Sequence, residues 1–482
     1  MRDLCHNSSM IATQQQIYAV LREYNPWWDD AADPGLPSWE RVAFAEVKEW
    51  VISPPSNRAV LISGARQVGK TTLLRQVVRD IIKSGVDPGQ ILYATFDHPL
   101  LKLTGLEDVV RIWEELHARK EGAPEYLLLD EIQYTADWQT WIKHQVDFNK
   151  KRRIAATGSA MPLASSSAES GVGRWHTIKL PTLSFFEYLK IKKIETPHIK
   201  DATSLLNVFS WTDGERIKAA EASRKIVPHF HEYLLRGGFP ETAKVENITI
   251  AQKLLREDIV DKVLKRDMTA LYGVRHILDL EKLFLYLCIH DGGILDVSNV
   301  ASNLNLSRAT INNFLSLLES AHLIYRLRPY GYGKQVLKSQ DKIYLADAAI
   351  SGSVLLKGKS LLQDTAKLGV AVETAFFKHL FTRLYQTSVE FSYWRQPKTQ
   401  LEVDIVGVVA GSTVPFEVKY ASSIQGDDIK GLRAFCEMKK LPRAYVITRE
   451  LGDFRIVKQP ETEFLHIPAV LACYWLSKSE LE

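Results

Sequence analysis

The string GARQVGKT at residues 64–71 constrains this chain most, because it follows the apolar run AVLIS and opens the helical pattern TTLLRQVVRDII. A short strand that delivers a glycine-rich turn directly into a helix makes an anion-binding loop. Gly64 and Gly69 let the backbone N–H groups turn inward around phosphates. Lys70 is placed to pair with the β- and γ-phosphates, and the Thr71 hydroxyl to ligate magnesium. The helix adds the positive end of its dipole. Ala65, Arg66, Gln67, Val68 and Thr72 complete the expected lining. The alternative is an ordinary glycine-rich strand–helix turn, and a strand and helix in these positions argue against it. The spacing therefore predicts ATP as ligand, with Mg2+ beside it.

Such a site needs a second half, and YLLLDEIQ at residues 126–133 supplies it. Four apolar residues make a buried strand that ends on Asp130, at the edge where ligands collect on open parallel sheets. Asp130 is expected to hold the magnesium shell, and Glu131 to act as general base on water. Either carboxylate alone would pass for a strand-end cap. Around this pair the runs AVLIS, QILYATF, YLLLD, RIAATGS and HTIKL alternate with amphipathic helices, a rhythm that predicts a parallel sheet covered on both faces.

The residues at this point resemble those of AAA+ ATPases. The resemblance implies that RIAATGS lies between the two phosphate-site strands and ends on a polar sensor, Thr157, with Ser159 close behind. It implies that Arg174, after a serine-rich helix and GVGR, reaches the neighbouring subunit's nucleotide as an arginine finger. That reading brings self-association with it, in a ring or another homo-oligomer. A surface arginine at a helix end is the alternative. Further on, LLRGGFPE looks like the lid signature of a subgroup in which a Gly-x-Pro turn packs on the adenosine. Gly238 and Pro240 match that turn, and Arg236 matches a lid arginine. A plain helix-breaking turn would look the same locally.

Residues 279–290 (DLEKLFLYLCIH), DVSNVASNLNL and SRATINNFLSLLESA read as three helices, with Ser307 capping the last. LIYRLRPYGYGKQV then reads as a two-stranded wing. This order is that of a winged helix-turn-helix. Its second helix would present Arg308, Thr310, Asn312 and Asn313 to a DNA groove, with Arg326, Arg328, Lys334 and Lys338 along the wing. Packing between protein modules is the rival role, and Glu319 makes the helix less basic than that of a typical reader.

The last stretch holds LGVAVETAFFKHL, EVDIVGVV and PFEVKY. Glu417 and Lys419 are two apart on a strand, so they share a face. If the two strands pair, Asp404 and Glu417 can share a divalent cation while Lys419 orients a water, and Glu373 on the preceding helix can hold or orient an ion. The alternative is a solvated Glu-x-Lys face. The order helix Glu, strand Asp, strand Glu-x-Lys resembles the restriction-endonuclease-like superfamily (PD-(D/E)xK nucleases), with Val403 where that name has proline.

Together these pieces resemble a prokaryotic family of AAA+ ATPases, over residues 58 to about 450. The implied fold class is α/β: an arm and leading helix (1–57), a parallel-sheet nucleotide-binding core (58–184), a helical lid (185–275), a winged helix-turn-helix (276–348) and an α/β restriction-endonuclease-like domain (349–482). The implied function is an oligomeric ATPase acting on DNA with a metal-dependent nuclease-like tail, in recombination, repair or defence. Two alternatives stay open: a STAND-like nucleotide-dependent signalling switch whose tail docks proteins, and a translocase or branch-migration motor that does not cut.

Composition adds exclusions. A net charge of +4 over 482 residues announces no global nucleic-acid field, so any basic surface is local. Cys5, Cys288, Cys436 and Cys473 lack metal-ligand spacing and read as reduced thiols of a cytoplasmic protein. No apolar run approaches the roughly 18 residues that span a bilayer. The N-terminus shows no export signal, and the role of the adjacent Trp27 and Trp28 is open, with adenine or a neighbouring subunit as the surfaces they would cover.

Overall fold

Fully apolar strands between amphipathic helices bury both faces of a sheet, and the first half of the chain is built this way. In the computed structural model the described residues are 13–29, 33, 35–117, 122–159, 173–202, 205–331, 340–387, 389–409 and 411–478. Strands β1 (Ala59–Ser63), β2 (Ile91–Thr95), β3 (Glu125–Asp130), β4 (Arg152–Gly158) and β5 (Trp175–Lys179) form one sheet in the order β2-β3-β4-β1-β5. Every neighbouring pair is parallel. All five strands therefore end at one edge, and β4 lies between β1 and β3, as the sequence implied. The helix Lys70–Lys83 buries Leu73, Leu74, Val77, Val78 and Ile81, the i, i+4, i+8 stripe that packs it on the sheet.

Residues from Gln14 onward are part of this body. The chain divides into two compact units, Met1–Leu180 and Pro181–Glu482. In the first, helix Gln14–Tyr24 sends Ile17 and Leu21 into the core. Edge strand β2 exposes backbone groups that need partners. The Asn25 side chain meets Tyr93 from both sides, donating to its carbonyl at 2.8 Å and accepting its N–H at 2.7 Å. The indole N–H groups of Trp27 and Trp28 reach the Ile91 carbonyl. The two tryptophans thus cover the edge of their own sheet, which answers the question the sequence left open.

The second unit holds a nine-stranded mixed sheet, with β6 (Gly293–Leu295), β7 (Ile324–Pro329), β8 (Asp341–Leu345), β9 (Val389–Arg395), β10 (Glu402–Val409), β11 (Ser412–Lys419), β12 (Arg443–Thr448), β13 (Arg455–Lys458) and β14 (Glu463–Pro468). Their order is β13-β14-β12-β11-β10-β9-β7-β8-β6. Helices Ile277–Ile289, Val297–Leu304 and Arg308–Ser320 follow the sequence reading, and the Ser307 hydroxyl accepts the Thr310 N–H at 3.0 Å as the expected cap. The hairpin differs from expectation. The antiparallel partner of β7 is DKIYL at 341–345, so the strands of the wing do not both lie within LIYRLRPYGYGKQV. Lys334 and Lys338 fall outside the described residues.

Two expected boundaries also shift. β7 pairs in parallel with β9, at Arg328↔Ser392 and Pro329↔Tyr393, so one sheet runs across residue 348. Thr182 and Leu183, placed in the first domain by sequence, belong to the second unit, where the buried Lys378 ammonium binds the Thr182 hydroxyl at 2.9 Å and the Leu183 carbonyl at 3.0 Å.

Candidate functional site

The phosphate loop leaves the C-terminal end of β1. At Gly64 the Leu180 carbonyl comes so close that a Cβ would collide with it, which is why only glycine fits. Ala65 and Val68 are buried, and the Arg41 guanidinium donates to the Val68 carbonyl at 2.5 Å. Arg66 donates to the Tyr134 hydroxyl at 2.9 Å, Gln67 holds a left-handed φ of 59°, and Gly69 caps the helix that Lys70 begins. Thr71 is exposed and Thr72 half-buried in its first turn. The Lys70 side chain is 4 % exposed, so its charge needs local partners. Its ammonium donates to the Gly64 and Ala65 carbonyls at 2.9 Å each and lies 3.8 Å from Glu131 Oε1.

At the end of β3, Asp130 Oδ2 accepts the Thr71 hydroxyl at 2.7 Å and the Tyr93 hydroxyl at 2.9 Å, and Oδ1 accepts the Thr157 hydroxyl. Burial pushes this carboxyl above the usual range, and the adjacent Glu131 adds to the effect. All three donors are neutral hydroxyls. A buried carboxylate touching a threonine hydroxyl, with no cation bonded to it among the described residues, is the donor set that suits a hard ion sharing its remaining positions with phosphates and water. Among the described residues no group of three or more His, Cys, Asp or Glu could hold a metal ion, so protein ligands alone do not cage one.

Thr157 serves both acids. Its hydroxyl donates to Asp130 and accepts the Glu131 N–H at 3.1 Å. The Glu131 carboxylate in turn accepts from Gln133 Nε2 and, at 3.3 Å, from the Ser159 hydroxyl. The sequence reading brought Lys70, Thr71, Asp130, Glu131 and Thr157 to one edge, and the structure places them there. It missed Tyr93 and Gln133. The signal for Tyr93 was a hydroxyl near the end of the strand beside β3.

Arg174 sits at the other edge of the sheet. Its carbonyl accepts the N–H of Ala59, the first residue of β1, so it is remote from the loop at the end of that strand. Its guanidinium is held by Asp147, at 2.7 and 3.0 Å. The serine-rich segment before it falls outside the described residues.

The Gly-Gly-Phe-Pro turn is spent inside the second unit. Gly238 donates its N–H to Asp347 at 3.0 Å, and its carbonyl accepts the Leu183 N–H at 2.5 Å. Arg236 is buried and donates to the Val245 carbonyl. Pro240 starts helix Pro240–Lys244 and is half-buried.

In the helix–wing segment, Arg308, Asn312 and Asn313 are exposed, because Ile311, Phe314, Leu315 and Leu318 turn inward. The Thr310 hydroxyl is engaged with Ser307 at 2.8 Å. Arg326, expected to add charge along the wing, is held by Asp341, with contacts of 2.6 and 2.9 Å. Arg328 is exposed.

The C-terminal acids do meet. β10 and β11 pair antiparallel, Asp404 N–H donates to Glu417 Oε2 at 3.3 Å, and Val418 N–H donates to Asp404 Oδ2 at 2.9 Å. A register shift between Val403 and Val406 on the β9 side marks a bulge, the device that re-aims side chains beside it. Lys419 pairs with Glu417 at 2.7 Å. Burial and the nearby Asp404 charge raise the Glu417 carboxyl to about 8. The residue that sequence reading missed is Lys342 on β8. Its buried ammonium lies 2.9 Å from Glu373, 3.0 Å from Glu402 and 3.0 Å from Asp404. Burial disfavours its charge, but the surrounding carboxylates outweigh that and hold its pKa well above the usual lysine value. The expected metal ligands Glu373 and Asp404 therefore already share a cation, and Glu417 has Lys419. In this arrangement the three do not fit a divalent ion.

Residues 56–189 match the model of an AAA domain, while residues 227–361 and 368–470 match two domains of unknown function (DUF8612 and DUF4143). The chain is 26% identical over 343 residues to an uncharacterized protein of Haemophilus influenzae, covering 68% of this chain and 76% of that one. It is 25% identical over 330 residues to an uncharacterized protein of Methanocaldococcus jannaschii, with 67% and 68% covered. An uncharacterized protein of Mycobacterium tuberculosis is 25% identical over 373 residues, with 76% and 70% covered. Among solved structures, AMPPCP-bound DnaA from Aquifex aeolicus is 15% identical with a TM-score of 0.24, covering 57% of this chain and 86% of that one. PCH-2 of C. elegans is 14% identical with a TM-score of 0.25, covering 48% and 63%. At such scores neither neighbour bears on how this chain works. The segment 56–189 that matches the AAA-domain model contains the phosphate loop, both carboxylates and the parallel sheet that positions them.

Proposed function

We propose that the chain is an oligomeric, magnesium-dependent ATPase that acts on DNA. One observation carries the first part: the Thr71 hydroxyl and the buried Asp130 carboxylate touch beneath Lys70, where a triphosphate on the loop would end. Lys70 exchanges the Gly64 and Ala65 carbonyls for phosphate oxygens when ATP binds. Thr71 and Asp130 would hold magnesium, which would supply charge neutralisation at the phosphates. Glu131 takes the proton of the attacking water, and Thr157 holds it in register with Asp130. Arg174 acts in trans after leaving Asp147, because it lies at the edge opposite its own loop.

The DNA role rests on the exposed Arg308, Asn312 and Asn313 of a winged-helix-like segment and on the Arg328 side chain beside it. The convergence of Glu373, Asp404, Glu417 and Lys419 supports a nuclease-like ancestry for the C-terminal domain. Lys342 among those acids favours a second reading, in which the chain moves DNA, or switches a protein partner, without cutting.

The test is the ATPase rate with and without single-stranded, duplex and four-way DNA, together with a salt series on binding. The proposal expects stimulation by one of the DNAs. It also expects binding that weakens by orders of magnitude as salt rises, because several phosphate contacts release counterions. Hydrolysis that ignores every DNA, with no binding even at low salt, supports the protein-partner switch and overturns the DNA role.

A further inference from the structure

Four carboxylates converge where helix Thr365–Leu384 crosses β10 and β11, and buried negative charge on this scale demands a cation. In a nuclease-like site a divalent ion supplies it. Here the chain does so. An ammonium has three N–H donors. Those of Lys342 have three carboxylates within bonding range: Glu373 at 2.9 Å, Glu402 at 3.0 Å and Asp404 at 3.0 Å. The side chain is 2 % exposed, and Tyr344, two residues on along β8, donates its hydroxyl to Glu373 at 2.6 Å.

The second oxygen of Asp404 and both oxygens of Glu417 are also engaged. Asp404 Oδ2 accepts the Val418 N–H at 2.9 Å. Glu417 accepts the Asp404 N–H through Oε2 at 3.3 Å and Lys419 through Oε1 at 2.7 Å. A magnesium ion needs oxygens at about 2.0–2.1 Å in an octahedron. Here the carboxylates of Glu373 and Asp404 are splayed around an ammonium at 2.9–3.0 Å. Two cations cannot share that centre.

We infer that Lys342 is the resident cation of this site, its ammonium standing where a divalent ion would bind, so that the chain holds no divalent ion between Glu373 and Asp404. The inference rests on the side-chain geometry and on the nuclease-like reading of the fold, and it does not depend on ATP turnover or DNA binding. Lys342 comes from β8, seven residues before the 349 boundary expected from sequence, so a fragment starting there would lose its counter-ion.

The experiment is a titration of Mn2+ into the nucleotide-free full-length protein, with free ion read by electron paramagnetic resonance. An Asp130→Asn background silences the first unit. Against that background Lys342→Met is expected to gain one Mn2+ per chain, at least tenfold tighter than any binding to the parent, and Lys342→Met/Asp404→Asn to lose it. Circular dichroism checks folding, and Lys342→Gln replaces Lys342→Met if the latter unfolds. Parent protein that binds Mn2+ with an affinity abolished by Asp404→Asn would overturn the inference, whatever the variants do. So would a folded Lys342→Met or Lys342→Gln that binds none. Failure of the ATPase proposal would instead appear as absent turnover with these titrations unchanged.

Discussion

Gly238→Ala tests how the second unit uses its Gly-Gly-Phe-Pro turn. A Cβ at Gly238 would stand 2.5 Å from the Leu183 carbonyl oxygen and 2.8 Å from the Leu183 nitrogen. Both are backbone atoms, which cannot swing aside as a side-chain tip does. Ordinary contact begins near 3.4 Å, so the strand of chain at Leu183 would have to retreat by about 0.9 Å (3.4 minus 2.5). That retreat pulls apart the 2.5 Å bond between the Leu183 N–H and the Gly238 carbonyl. It also strains the Asp347 carboxylate, which accepts from Gly238 at 3.0 Å and from Thr182 at 2.6 Å and pairs with Lys378 at 3.2 Å. Overpacking a tight core costs about 1–3 kcal/mol and a lost hydrogen bond about 1 kcal/mol, giving roughly 2–4 kcal/mol. For a unit of this size, spanning Pro181–Glu482, that lowers Tm by roughly 3–6 °C. Thermal melts of the full chain followed by circular dichroism give the answer. A Tm within 1 °C of wild type would refute the packing argument and leave the turn free for another duty.

Tyr93→Phe removes one of three hydroxyls on Asp130. An interaction with a charged group worth about 1.5 kcal/mol corresponds to about tenfold in kcat/KM for ATP, with Tm little changed, and an unaltered kcat/KM would contradict the positioning role. Arg174→Ala should cut ATP turnover by about a thousandfold while ATP affinity is kept, whereas Asp147→Ala should leave turnover intact. Equal rates in wild type and Arg174→Ala would rule out the finger. His379 is buried, accepts the Phe185 N–H at Nε2 (2.9 Å) and lies 2.6 Å from the Ala375 carbonyl at Nδ1, and burial lowers its pKa to about 3. Below pH 6.5 the unfolded chain takes up a proton that the folded chain refuses. Stability therefore falls by about 1.4 kcal/mol per pH unit from this group as pH drops from 6.5 toward 3. The pH dependence of the unfolding free energy from urea melts should be shallower in His379→Gln by that amount, and parallel curves would contradict it.

What could be read in advance divides by the range of the interaction. The phosphate loop, YLLLDE and the five parallel strands carry their meaning in contiguous residues, so β1 to β5 and the Lys70, Thr71, Asp130, Glu131 and Thr157 group were legible. Asp404, Glu417 and Lys419 were legible because one hairpin brings them together. Lys342 was not. Within DKIYL it reads as the solvent side of an alternating strand, and only the pairing of β7 with β9 puts β8 near acids some 30 to 60 residues away in sequence. The partner of Arg326 was hidden for the same reason, since Asp341 lies on β8, outside the stretch read as the wing. Asn25 likewise gave no local sign that it would complete the hydrogen bonding of an edge strand.

Isothermal titration of ATP with magnesium into the full-length chain and into Lys70→Ala tests the core claim most directly. Wild type is expected to take one ATP per chain, and the loss of two charge-assisted contacts, together about 3 kcal/mol, should weaken Lys70→Ala by about a hundredfold. Wild type that binds no ATP, or Lys70→Ala that binds it equally well, would contradict the account.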